Sequence, residues 1–114
     1  MFIITIAEIK VFNKKITTFI ENHLFEKENN AQTMFEKWTE ELKTKQKMLS
    51  FEENEDFSPK YEEGHKKNIN RRYSILEYKH EGVRYRKEIW LINRSNETED
   101  FFAEEFYRFY KEKG

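Results

Sequence analysis

The sequence predicts a single α+β domain with the element order β-α-α-β-β-α. Three observations carry that expectation. An apolar, β-branched opening is too stiff at χ1 for a comfortable helix. Two later stretches repeat apolar residues at helical spacing. Two alternating runs are joined by Glu81-Gly82, a two-residue hairpin signal.

The opening "MFIITIAEIKVFN" puts Ile3, Ala7, Ile9 and Val11 on one side of an extended chain and Phe2, Ile4, Ile6 and Phe12 on the other. It reads as a strand buried on both faces at its start. In "KKITTFIENHLFEK", residues Ile16, Phe19, Ile20, His23 and Leu24 recur at helical spacing, so a helix is expected from about Asn13 or Lys14. "KENNAQ" breaks the pattern. Thr33 and Glu36 then match a capping box, followed by the stripe Phe35, Trp38, Leu42 and Leu49, which sets a second helix over about 34–49. Residues 52–70 hold the acidic run "EENED", the only proline, Pro59, and Gly64, and read as an internal flexible loop.

The hairpin is expected over about 71–80 and 83–93. With His80 opposite Val83, the pairs Tyr78–Tyr85, Leu76–Lys87 and Ser74–Ile89 form the face turned to the helices. The pairs Lys79–Arg84, Glu77–Arg86, Ile75–Glu88 and Tyr73–Trp90 form the other. Finally, Thr98 caps a helix that opens with Glu99 and Asp100, as the helix dipole favours. Its stretch "FFAEEFYRFY" places six rings in ten positions. Phe102, Phe106, Phe109 and Tyr110 make the core stripe, leaving Phe101 and Tyr107 on a margin that can dock on another protein.

A chain of 114 residues is most simply one domain (1–114), with one modest core and little room for a deep cleft. Hydrophobic residues make up only 37%, but aromatics reach 17% and supply the apolar area that the core needs. There is no cysteine, which excludes a disulfide framework and a thiolate metal site. No run approaches the ~20 apolar residues of a membrane span, and a cytoplasmic protein with no membrane partner is expected. The net charge of −1 hides segregation. Residues 1–64 carry 9 basic and 13 acidic side chains, residues 65–94 carry 9 and 3, and residues 95–114 carry 3 and 6. One positive region flanked by negative ones can steer an anionic partner.

That region is the hairpin. Arg71, Arg72, Tyr73, Lys79, Arg84, Arg86 and Trp90 interleave cations with rings, the combination that phosphate neutralisation and base stacking require. With Phe101 and Tyr107 they are the candidate binding residues. The three histidines lack further ligands at matching spacing, so no metal or cofactor is expected. Isolated glycines form no phosphate loop, and no nucleophile–base arrangement is visible.

The leading expectation is therefore a non-enzymatic binding protein, an inhibitor or regulator of a larger protein or nucleoprotein complex. Phage or mobile-element inhibitors, immunity proteins and antitoxins have this size and profile. RNA or DNA could be met through the basic hairpin. The alternative is a small nuclease with Glu77, Lys79 and Arg86 as its catalytic residues. Asp56, Glu77 and Lys79 match a D…ExK pattern, in which two carboxylates hold a divalent metal and the lysine meets the phosphate. The order of elements is also similar to that of the metal-independent ribonuclease toxins of toxin–antitoxin systems, a likeness of topology alone. It implies acid–base cleavage of RNA by residues such as Arg72, Tyr73, Lys79, His80, Arg84 and Arg86.

Overall fold

The computed structural model describes residues 2–50, 59–66 and 71–93. Its elements run β1 (Phe2–Phe12), β2 (Lys15–Phe25), α1 (Glu28–Ser50), β3 (Lys60–Lys66), β4 (Arg71–His80) and β5 (Val83–Asn93). The strands form one antiparallel sheet in the order β2-β1-β5-β4-β3. The class is α+β, but the order is β-β-α-β-β-β, which corrects the predicted β-α-α-β-β-α.

Two differences account for the correction. The segment read as a first helix is β2, paired with β1 along its whole length from Phe12↔Lys15 to Phe2↔Phe25. The turn between them, Asn13-Lys14, has φ of 49° and 65°. Positive φ at both central residues is what a two-residue hairpin of right-handed twist needs. The stretch 60–66, read as part of a loop, is the edge strand β3, paired with β4 from Lys60↔Glu77 to Lys66↔Arg71. The likeness in topology to ribonuclease toxins falls with the predicted order. The rest of the 52–70 loop, at 52–58 and 67–70, lies outside the described residues, as does the aromatic helix expected from Thr98.

Helix α1 starts earlier than the capping box implies. Glu28 occupies its first turn, and the Ala31 amide donates to the Lys27 carbonyl (3.2 Å). Thr33 sits inside the helix and donates its hydroxyl back to the Asn29 carbonyl (2.9 Å). Such i−4 bonding is how an interior threonine satisfies itself. Twenty-three residues make a helix about 34 Å long, enough to run across one face of the sheet from the end of β2 to the start of β3. Its predicted stripe holds: Phe35 and Leu42 are buried, and Trp38 and Leu49 are half-buried. Ala31 and Thr39 complete the stripe. They meet Ile4, Leu76, Ile89 and Leu91 of the sheet. Each fully buried aliphatic side chain of this kind contributes about 1.5–3 kcal/mol.

The β4–β5 register is the one the hairpin pattern predicts, from His80↔Val83 through Tyr78↔Tyr85 and Ser74↔Ile89 to Tyr73↔Trp90. The Glu81-Gly82 turn has φ of 52° and 80°. Ser74 is joined to Thr39 of the helix by a buried hydrogen bond of 3.0 Å, so the face with Ser74, Leu76 and Ile89 is indeed the one α1 covers. The opposite face is buried along the central strands as well, at Thr5, Ala7, Ile9, Ile75, Trp90 and Ile92.

Candidate functional site

The face away from α1 carries most of the predicted binding residues, and they fall into two groups by their place along the β4–β5 hairpin. Glu77, Arg86, Glu88 and Trp90 are joined in one network. Arg86 reaches across the strand pair to Glu77 through Nη1, while its Nε donates to Glu88 Oε2 at 2.6 Å. The other Glu88 oxygen accepts from Trp90 Nε1 at 2.7 Å. Glu77 and Glu88 are buried, and only 17% of the Arg86 side chain is exposed. Taking ions out of water costs several kcal/mol each unless they are paired and hydrogen-bonded. This network meets that condition, so Arg86 serves the sheet's own carboxylates.

Arg71 is also buried, at 1% exposure. Tyr73 stacks on Trp90, with centroids 5.0 Å apart and planes 29° from parallel, and its hydroxyl donates to Glu62 Oε1 at 3.0 Å. Burial, and then the Glu62 carboxylate, push the Tyr73 phenol above its ordinary pKa. Gly64 lies opposite Tyr73, and a Cβ there would stand 2.7 Å from the tyrosine hydroxyl, so only glycine lets the ring lie down. Arg72 is on the other face, its guanidinium 4.9 Å from the Phe35 ring centroid and 3.8 Å from Glu36.

The second group is Lys79 and Arg84. They are half-buried and directly opposite each other in the last rows before the turn. Like charges facing across a strand pair repel unless an anion lies nearby. The β1–β2 turn brings further cations to the same end, because Val11 pairs with Arg84 and Lys10 with Tyr85. Lys14 and Lys15 are exposed there. On the helix side, Tyr78 and Tyr85 stack at 4.8 Å and 12°. Lys45 of α1 stands 5.0 Å over the Tyr78 ring, and Lys10 stands 5.8 Å from the centroid of Tyr85. Five elements and one turn thus bring Lys10, Lys14, Lys15, Lys45, Lys79 and Arg84 to the same end of the sheet, with Lys10 and Lys45 beside the tyrosine pair and Lys79 and Arg84 on the opposite face. We refer to this as the turn end of the sheet. Lys14 and Lys15 escaped the sequence reading because their place depends on a hairpin it did not contain, and Lys10 and Lys45 because theirs depends on the pairing of β1 with β5 and the packing of α1 over Tyr78.

No family model, curated protein or solved structure matches this chain. What it can do is therefore read from its own geometry. Among the described residues, no cluster of three or more His, Asp or Glu side chains is arranged to hold a metal ion. Glu77 and Lys79 of the D…ExK pattern share a face, but Glu77 is engaged by Arg86, and Asp56 lies outside the described residues. Phe101 and Tyr107 lie outside them too. Among the described residues, no helix is long and apolar enough to cross a membrane.

Proposed function

We propose that this chain is a non-enzymatic binding protein of the cytoplasm, an inhibitor or regulator of a larger protein that acts on nucleic acid. The reading rests on the turn end: Lys10 and Lys45 stand over a stacked tyrosine pair on the helix side, and Lys79 and Arg84 face each other on the opposite side of the same end. Such a surface suits an acidic protein surface or a phosphate backbone. The phage, mobile-element, immunity or antitoxin setting is part of the same proposal.

The test is affinity capture of a partner with and without nuclease treatment, using the full chain and a Lys79→Glu/Arg84→Glu variant. A single stoichiometric protein that survives nuclease, and is lost in the variant while the melting temperature holds, is the expected result. Recovery of nucleic acid alone would move the proposal to a nucleic-acid-binding module. Undiminished capture by the variant would remove the turn end as the contact.

The second reading is a small RNA- or DNA-cleaving protein. It draws support from Tyr78, Lys79, His80, Arg84 and Tyr85, acid–base residue types gathered around one turn. Cleavage that is indifferent to chelator and lost on Arg86→Ala or Lys79→Ala would favour it. Magnesium-dependent cleavage lost on Glu77→Ala would favour the metal form. Intact RNA and DNA under both conditions would eliminate the class.

A further inference from the structure

The two edges of this sheet are built differently. At one edge, β3 reads "KYEEGHK", with a charged or histidine side chain at five of seven positions. Charged, short edge strands are how proteins prevent sheets from adding to one another. The other edge, β2, is eleven residues long, and from Ile16 to Leu24 it has no lysine, arginine or proline. Its apolar side chains stand out in solvent: Phe19 is 56% exposed, Leu24 60%, and Ile16 and Ile20 46% each. Among the described residues no strand pairs with the outer side of β2, and an apolar edge of this length is a template for another strand.

Its orientation follows from the turn. In a two-residue hairpin the closing pair, here Phe12 and Lys15, exchanges both backbone hydrogen bonds, and bonded pairs then alternate along the ladder. The odd-numbered residues of β2 therefore bond to β1. Ile16, Ile20, Asn22 and Leu24 turn their amides and carbonyls to the open edge, and the side chains of the same residues lie on the face away from α1.

We propose that the occupant of this edge is β2 of a second copy, paired antiparallel about a two-fold axis at Ile20. In that register Ile20 meets Ile20 of the second copy, and Ile16 meets its Leu24, so the exposed aliphatic side chains of that face are covered reciprocally. Lys14 comes beside Glu26 of the second copy, which adds opposite charges at both ends of the pairing. Neighbouring registers are poorer. An axis at Glu21 sets two carboxylates against each other, and an axis at Phe19 sets Ile16 opposite Asn22 and Leu24 opposite Lys14. The sequence of β2 is thus self-complementary about a single residue, as an isologous two-fold contact demands. The product is one continuous sheet with both copies of α1 on the same face and the two turn ends pointing in opposite directions.

Two measurements on the full chain test this. Size-exclusion chromatography with light scattering should give about 28 kDa, twice the 14.2 kDa chain, and Ile20→Lys should halve that mass while keeping the far-ultraviolet circular-dichroism spectrum of the folded chain, with a melt that no longer depends on protein concentration. Phe19 faces Glu21 of the second copy in a non-hydrogen-bonded pair, where Cα atoms stand about 4.5 Å apart, within reach of a disulfide. Because the chain has no cysteine, a Phe19→Cys/Glu21→Cys variant should form a covalent dimer on oxidation, whereas Phe19→Cys alone should not. A monomeric wild type at every concentration, an Ile20→Lys protein that stays dimeric, or a doubly substituted dimer that fails to cross-link would each overturn the pairing. So would a monomer that takes another protein's strand onto β2.

Discussion

At the scale of single residues, the chain shows how a side chain's role is fixed by what lies across the strand. Arg86 and Arg84 are two positions apart on one face of β5. Arg86 faces Glu77 and is held between two carboxylates, while Arg84 faces Lys79 at the turn end. Gly64 is the clearest case. The Tyr73 ring occupies the space that any Cβ at position 64 would enter, with contacts of 2.7–3.0 Å to the phenol. Gly64→Ala must push the ring off Trp90 or break its bond to Glu62, and overpacking of this kind costs about 1–3 kcal/mol. Denaturant unfolding should record that loss. Removing the ring should remove the penalty, so Gly64→Ala in a Tyr73→Ala background should cost far less. An equal cost in both backgrounds would mean that the glycine is required for its backbone and not for the ring.

At the scale of elements, the α1 boundary can be checked the same way. A threonine acting as an N-cap loses about 1 kcal/mol on change to alanine. Thr33 is an interior residue bonded back to Asn29, so Thr33→Ala should shift the unfolding free energy by less than about 0.5 kcal/mol. A full capping penalty would place the helix start at Met34. The same comparison shows what the sequence could reveal. The β4–β5 hairpin was legible to the residue because Glu81-Gly82 supplies both positive-φ positions and its inward face is apolar. The β1–β2 hairpin was not. Its turn has no glycine, and Lys14 adopts φ of 65° without a sequence signal. An exposed edge strand also has no single buried face to impose an alternating pattern, so the spacing of Ile16, Phe19, Ile20, His23 and Leu24 imitated a helix. Helix α1 was legible where it packs, from Phe35 to Leu49, and not over 28–33, where Ala31 is the buried residue. Individual site residues were visible on the hairpin, whereas the reach of Glu88 to both Arg86 and Trp90 required the folded sheet.

At the scale of the whole molecule, the net charge and the local field have opposite signs. The chain is slightly acidic, with a pI near 6.3, and carries a formal charge of −1 at neutral pH. A uniform distribution of that charge would repel a polyanion. Yet the Debye length at physiological ionic strength is about 8 Å, so an approaching surface senses the charges within a few side chains of contact and not the molecular total. At the turn end those include the six cations Lys10, Lys14, Lys15, Lys45, Lys79 and Arg84, set against the exposed Glu81 of the β4–β5 turn. The wild-type protein should therefore be retained by a cation-exchange resin at pH 7, above its pI, and should elute as added salt screens the contact. Lys79→Glu/Arg84→Glu reverses two charges at the turn end and should pass through unretained. In the dimer, opposed turn ends allow two resin contacts per particle, so Ile20→Lys, although it adds a cation, should elute at lower salt than the wild type. Flow-through of the wild type would show that acidic side chains elsewhere neutralise the turn end, and the binding proposal would lose its electrostatic basis.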